Sequence, residues 1–332
     1  MNAHKGRLAC HRPDPARVGA VHLTFLGTSA GTPTRTRNVT SQVLTLDHGG
    51  VWMLDAGEGT QHQLMKAGIS ARRIERILVT HLHGDHCYGL PGLLALIAIH
   101  ERREPVTLIG PRGLAEFIAT ITRLSDLTLK FNVVVQEHGG SGEWVAEHGW
   151  HITARPLVHR IACSGYVLQE PERAGLFHPE RARALGLPEG RAWGRLQRGE
   201  TVNGIAPAQV CDPPRPGRKL VLLGDTCDAG AIIAAGSDCD LLVCEATYTT
   251  ERAAKAHEWG HLTAAETGAL AHAMRARALA ITHFSSRYTT MPGALDALSK
   301  EAADACPDTV VFTADDLLTL DLALDGRVAL RA

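Results

Sequence analysis

The segment that most restricts this chain is Thr80-His81-Leu82-His83-Gly84-Asp85-His86, which directly follows the apolar run Ile74 to Val79. From His81 onward it packs three imidazoles and a carboxylate into six residues. On a loop leaving a strand end, such side chains can converge on one or two cations, and imidazole with carboxylate suits Zn²⁺ or a similar first-row metal. Two cations held about 3.5 to 4 Å apart need more donors than one loop supplies. Three further donors stand at the ends of apolar runs: His159 after Leu157-Val158, Asp225 after Leu222-Leu223-Gly224, and His283 after Ala280-Ile281-Thr282. Singly, each also reads as a helix cap or a hydrogen-bonded core residue. Together they complete a dinuclear set, and strand ends are where α/β sheets place their chemistry.

The rest of the chain supports a layered α/β domain. Strand-like runs begin at Val21 to Leu26 and continue at Gln42 to Leu46 and Val51 to Leu54, the latter two flanking the turn Asp47-His48-Gly49-Gly50 as a hairpin. Others follow at Ile74 to Val79, Val106 to Ile109, Phe131 to Val135, His151 to Ala154, Leu220 to Leu223, Leu241 to Val243, Leu279 to Ile281 and Val310 to Phe312. Helical spacing marks Leu114 to Leu124 and Ala294 to Ala303, and Thr263-Ala264-Ala265-Glu266 has the form of a capping box opening a helix towards Met274. At 332 residues, one large domain of residues 21–332 suffices, after a polar N-terminal extension of residues 1–20 without a secretory apolar stretch. Between about 171 and 217 Pro, Gly and Arg concentrate and strand-like runs stop, which reads as an insertion on that domain.

Composition narrows the function classes. No apolar run reaches the roughly 18 residues of a membrane span, so the chain is expected to be soluble, cytoplasmic and without a membrane partner. Eight cysteines without C-x-x-C spacing read as reduced thiols. The net charge of -1 excludes a globally basic nucleic-acid binder, so any RNA must be met by a local patch. Eighteen histidines, by contrast, direct attention to metal chemistry.

The H-x-H-x-D-H segment resembles the signature of the metallo-β-lactamase superfamily, and four further segments resemble its ribonuclease Z branch. These are Phe25-Leu26-Gly27-Thr28-Ser29-Ala30-Gly31-Thr32-Pro33-Thr34 with Arg37-Asn38; Asp55-Ala56-Gly57-Glu58-Gly59-Thr60-Gln61; Glu245-Ala246-Thr247 with Gly260-His261-Leu262-Thr263; and Thr282-His283-Phe284-Ser285-Ser286-Arg287-Tyr288. The resemblance runs from about Val21 to Leu320. It implies a four-layer αβ/βα sandwich with a short arm-like insertion. It further implies two Zn²⁺ ions, or Mn²⁺ or another divalent metal, with His81, His83 and His159 on one, Asp85, His86 and His283 on the other, and Asp225 bridging.

The implied activity is metal-dependent phosphodiester cleavage of precursor tRNA, giving a tRNA 3′-hydroxyl and a trailer with a 5′-phosphate. Asp85 would orient the attacking water or accept its proton, and Glu245 with His261 would protonate the leaving oxygen. Arg191, Arg195 and Arg198 of the insertion, with Ser285 and Arg287, are the candidate substrate contacts, and a homodimer is implied. Two departures stand out. Cys244 occupies a position where the family has histidine, so altered packing is expected there, and Arg191 replaces an expected proline in a shortened arm. A small-molecule phosphodiesterase of the same fold, for example one acting on cyclic nucleotides, is the alternative. A noncatalytic RNA-binding relative is disfavoured by the intact ligand set.

Overall fold

The computed structural model describes residues 19, 21–173, 175–291 and 293–331, so most of the expected N-terminal extension lies outside the described residues. The chain first lays down β1 (Val21–Gly27), β2 (Ser41–Thr45), β3 (Val51–Leu54), β4 (Ile74–Leu78), β5 (Val106–Pro111) and β6 (Val133–His138). It then builds a second sheet from β7 (Gly142–Val145), β8 (His151–Leu157), β9 (Cys163–Gln169), β10 (Lys219–Leu222), β11 (Leu241–Glu245), β12 (Ala278–Thr282) and β13 (Val310–Thr313). Finally β14 (Thr319–Leu322) and β15 (Val328–Leu330) return to the first sheet. The orders are β15-β14-β1-β2-β3-β4-β5-β6 and β13-β12-β11-β10-β9-β8-β7.

Apolar residues on the inner faces of both sheets form one shared core, in which Trp52 of β3 and Trp150 just before β8 meet edge to face at 5.7 Å. The outer faces are covered by helices. Leu90–Ile99 and Leu114–Leu124 pack on the first sheet, Ala264–Met274 and Ala294–Ala305 on the second. Helix, sheet, sheet, helix is the expected four-layer sandwich. The Thr263 capping box forms as its sequence predicts, with Thr263 accepting from the Glu266 amide and the Glu266 carboxylate accepting from the Thr263 amide at 2.8 Å. Among the described residues no helix is long and apolar enough to cross a membrane.

The hairpin and the principal strands occur where the sequence predicts them, with β6 displaced towards Gln136-Glu137-His138. Four further strands, β7, β9, β14 and β15, lie outside the runs that the sequence marks. In β9 the apolar alternation is broken by Gly165, yet a side chain there would place its Cβ 2.6 Å from Leu223 Cδ2, so glycine is demanded by close approach rather than by a turn.

Between β9 and β10 the chain leaves the sandwich, carrying helices Pro179–Ala184, Arg191–Gln197 and Pro207–Val210 with a small core of their own around Leu187, Leu196 and Val210. Its root is closed by paired backbone hydrogen bonds between Arg173 and Arg215, each 2.9 Å. Beside this root, Arg218 is buried and donates to both oxygens of Glu170 at 2.8 Å while its remaining nitrogen donates to the carbonyls of Gly19 (2.7 Å) and Leu322 (3.1 Å). One guanidinium thus ties the insertion root, the start of β1 and the end of β14 together.

Burial pushes the Glu170 carboxyl up, but the Arg218 and Arg173 guanidinium groups outweigh it and bring it down to about 2 from 4.5. A depressed carboxylate contributes stability above its unfolded value, and that contribution is lost as pH falls from about 4.5 towards 2. Arg218→Leu should therefore cost about 3 kcal/mol at neutral pH, because Arg173 alone is left to balance the buried carboxylate, as measured by urea unfolding. The wild-type advantage over the variant should shrink through that acid window; a constant difference would contradict the pairing.

Candidate metal centre

The expected donors converge on one edge of the sandwich because each follows a strand of one sheet or the other. His81, His83, Asp85 and His86 come from the loop and short helix (Gly84–Cys87) after β4; His159 follows β8, Asp225 follows β10 and His283 follows β12. Two hydrogen bonds register the sheets there: Ser164 N donates to Thr80 O (3.0 Å) and Tyr166 Oη donates to Val79 O (2.8 Å).

The donors fall into two groups that share Asp225, each with its ligand atoms within 4.8 Å of one another. In the first, His83 Nδ1 lies 3.0 Å from His81 Nε2 and 3.2 Å from His159 Nε2, and Asp225 Oδ2 lies 3.8 and 3.9 Å from the latter two. In the second, Asp225 Oδ1 lies 3.3 Å from His86 Nε2 and 3.4 Å from His283 Nε2, with Asp85 Oδ2 at 3.5 and 3.4 Å from the same atoms. Asp225 presents one oxygen to each group. The donor set fits divalent metal. His86 Nε2 is buried without a hydrogen-bond partner, and a buried orphan nitrogen is costly unless something binds it.

The far nitrogens of four of these rings are anchored, which fixes which nitrogen faces the centre. His86 Nδ1 donates to Asp55 (2.7 Å), His159 Nδ1 to the Gly260 carbonyl (2.8 Å), His81 Nδ1 to Thr80 Oγ1 (3.0 Å) and His283 Nδ1 to Thr247 Oγ1 (3.0 Å). The two threonines play matching parts, since Thr80 passes its own proton to Asp55 and Thr247 bonds Glu245. Asp55 and His283 both have left-handed backbones (φ 57° and 56°), a conformation that Asp and His adopt more readily than most residues.

Charge within the cluster is strongly coupled. Burial alone would push the Asp225 carboxyl up, but His283 and His86 overwhelm it and hold it well below the usual carboxylate range. Burial likewise opposes a proton on His86, yet Asp225, Asp55 and Asp85 keep that ring well above its ordinary value. His81, buried and facing His86, is driven well below it.

A third grouping joins Glu245, His261 and His283. Glu245 is already committed: it accepts from Thr226 N (2.7 Å), from Thr247 Oγ1, and from His261 Nδ1 at 3.0 Å. Its two oxygens are therefore occupied by donors from the protein. Burial disfavours the His261 proton, but the Glu245 charge and hydrogen bond raise its pKa to about 9.

The remaining expected residues are not gathered at this centre. Arg195 and Arg198 share Glu200 on the insertion (2.7 and 3.5 Å), Arg191 is exposed at the start of the helix Arg191–Gln197, and Ser285 and Arg287 follow His283 without lining the cleft over the donors. Cys244 is buried with its sulfur 3.8 Å from Thr267 Oγ1, consistent with a packing role. Asp55, Thr80, Thr247 and the Gly260 carbonyl are ring anchors that no motif marks; for Asp55 the signal in the sequence is a carboxylate at a strand end, as for Asp225.

Relatives are recognisable for this chain. The family model for the anti-Pycsar protein Apyc1 matches residues 21–123. Ribonuclease BN of Cronobacter sakazakii is 40% identical over 276 residues, 81% of this chain and 90% of the relative. Ribonuclease Z of Limosilactobacillus reuteri is 35% identical over 308 residues, 90% of this chain and 99% of the relative. Among solved structures, the short form of human tRNase Z superposes with a TM-score of 0.66 at 29% identity, covering 90% of this chain and 98% of that one. The metallo-β-lactamase fold protein YhfI of Bacillus subtilis, at 16% identity and TM-score 0.65 over 91% of this chain and 99% of its own, matches in fold alone. With its donors grouped on the edge of that fold and 35% to 40% identity to two relatives over 81% to 90% of its length, the chain belongs to the ribonuclease Z/BN family of metal-dependent hydrolases.

Proposed function

We propose that this chain is an endoribonuclease that removes the 3′ trailer of precursor tRNA, leaving a tRNA 3′-hydroxyl and a 5′-phosphorylated trailer. The observation that carries the reading is the pairing of two donor groups on a shared Asp225 with a carboxylate-held His261 beside them. His81, His83 and His159 would hold one cation and Asp85, His86 and His283 the other, with Asp225 available to both. Zinc suits so many imidazoles. When bound, the cations supply an acidified water near neutral pH and neutralise charge on the phosphoryl oxygens.

The protein groups divide the remaining work. Burial would raise the Asp85 carboxyl, but His86 and His283 hold it far below the usual range, and Gly31 N donates to Oδ2 at 2.8 Å. Placed there, Asp85 would orient the attacking water or accept its proton. Glu245 occupies His261 Nδ1 and favours a proton on the ring, which leaves Nε2 to deliver a proton to the departing 3′ oxygen. The exposed Arg191, Arg195 and Arg198 lie on the insertion, remote in sequence from the donors, where they would meet tRNA phosphates. In a homodimer of the kind the family resemblance implies, the insertion of one copy serves its partner's centre.

Elemental analysis of protein loaded with divalent metal should give roughly two ions per chain. Asp225→Ala should lose both and His283→Ala chiefly one; retention of both ions in Asp225→Ala would overturn the shared-ligand reading. Asp55→Asn, which disturbs the partner of His86 Nδ1 and of the Thr80 hydroxyl that anchors His81, should weaken metal affinity roughly 10- to 100-fold in a chelator competition. An unchanged affinity would remove Asp55 from the site.

Mapping product ends tests the activity itself. Loaded protein should cut precursor tRNA to a 3′-hydroxyl and a 5′-phosphate; a cyclic phosphate end, or no cut, would refute the assignment. His261→Ala should slow that cleavage by roughly 10²- to 10⁴-fold with metal content unchanged, and should slow a nitrophenyl diester less, because nitrophenolate leaves without much protonation. Equal losses on both substrates would exclude His261 as the proton donor.

A further inference from the structure

The cleft above the donors, about 400 Å³ in volume, is walled by two aromatic rings that the chemistry just described does not use: Tyr88 and Trp259. Both are unusually open for their size, Tyr88 at 62% and Trp259 at 44% exposure. Leaving such apolar area in water is unfavourable at roughly 25 cal/mol per Å², so their position beside a charged centre calls for an occupant.

Each ring is mounted on rigid backbone next to a site residue. Tyr88 caps the short helix Gly84–Cys87, its amide donating to Gly84 O at 2.9 Å, and its ring lies so close to Gly84 that a Cβ there would come within 2.8 Å of Tyr88 Cζ. Trp259 ends the helix Ala253–Trp259, directly before Gly260, whose carbonyl holds His159. The Arg160 guanidinium sits over the Trp259 ring, 4.9 Å from its centre. Each ring thus has a support from this chain and an open remainder facing the cleft.

Resting on the reading of the centre as an RNA phosphodiesterase, we propose that Trp259 and Tyr88 are stacking platforms for the two nucleobases that flank the scissile phosphate. A phosphodiester in RNA carries a flat π surface on either side, and aromatic side chains recognise such surfaces without regard to base identity. Trp259 stands two residues from His261, on the side of the leaving 3′ oxygen, and takes the base of the nucleotide that keeps the new 3′-hydroxyl. Tyr88 follows Asp85 and His86 and takes the first base of the trailer. Arg160 steadies the tryptophan and places positive charge beside the entering backbone.

The test uses loaded full-length protein and precursor tRNA carrying one abasic nucleotide immediately upstream or downstream of the cut. In the wild type each abasic substitution should raise KM roughly 5- to 140-fold. Trp259→Ala should abolish the upstream penalty and Tyr88→Ala the downstream one, because the stacking partner is already gone, while Trp259→Phe and Tyr88→Phe should restore them. Abasic penalties equal in the wild type and both alanine variants would overturn the proposal, and a crossed pattern would overturn the assignment of sides. If the wild type leaves unmodified precursor tRNA intact, the functional reading fails and this inference with it. If it cuts the unmodified substrate but shows no coupling, the inference alone fails.

Discussion

A carboxylate exposed to only 4% of its surface, as Asp225 is, cannot persist as an unpaired anion. Its two oxygens point into different clusters of imidazole nitrogens, and the geometry on both sides is organised around that division. Four carboxylates, Asp55, Asp85, Asp225 and Glu245, crowd one edge of the sandwich, which is tolerable only because each faces histidine or a hydroxyl or amide donor. Removing positive charge from this assembly would leave several buried anions in mutual repulsion. Divalent cations satisfy the same demand in a more compact way.

Holding that balance requires the two sheets to keep a fixed register, since one supplies His81 to His86 and the other His159, Asp225 and His283. The wiring is mostly backbone. Ser164 reaches Thr80, Tyr166 reaches Val79, and on the other flank Phe284 exchanges hydrogen bonds with Thr28 and Ala30 of the N-terminal loop. That loop in turn meets the centre through Gly31 and Asp85. The left-handed His283 is held between these contacts and the Thr247 hydroxyl, so its backbone conformation is fixed by its surroundings.

Much of this was readable from residue order alone because metal chemistry uses few side-chain types and strand ends are marked by apolar runs. His81, His83, Asp85, His86, His159, Asp225 and His283 needed no three-dimensional information to be singled out, and the structure brings their ligand atoms together. What stayed hidden has physical reasons. Strand β9 was masked by Gly165, whose role is to let Leu223 approach. The anchor of His159 is a backbone carbonyl, which any residue would supply and no motif can announce. Arg160 and Trp259 lie about a hundred residues apart, so their contact exists only once β8 and the helix Ala253–Trp259 share an edge. The arginines of the insertion were legible as charges, but not their sharing of Glu200.

The closed root of the insertion has a bearing on how such proteins can diversify. Because the chain departs after β9 and returns before β10, which are neighbours in one sheet, and because Arg173 and Arg215 pair across the gap, both ends are pinned whatever lies between them. The excursion also owns its small core instead of borrowing from the sandwich. Lengthening a loop whose ends are already fixed costs little, since closure entropy grows only with the logarithm of length. Residues can therefore be added to or removed from this excursion across generations, or in the laboratory, without retuning the geometry of the strand ends that carry the histidines.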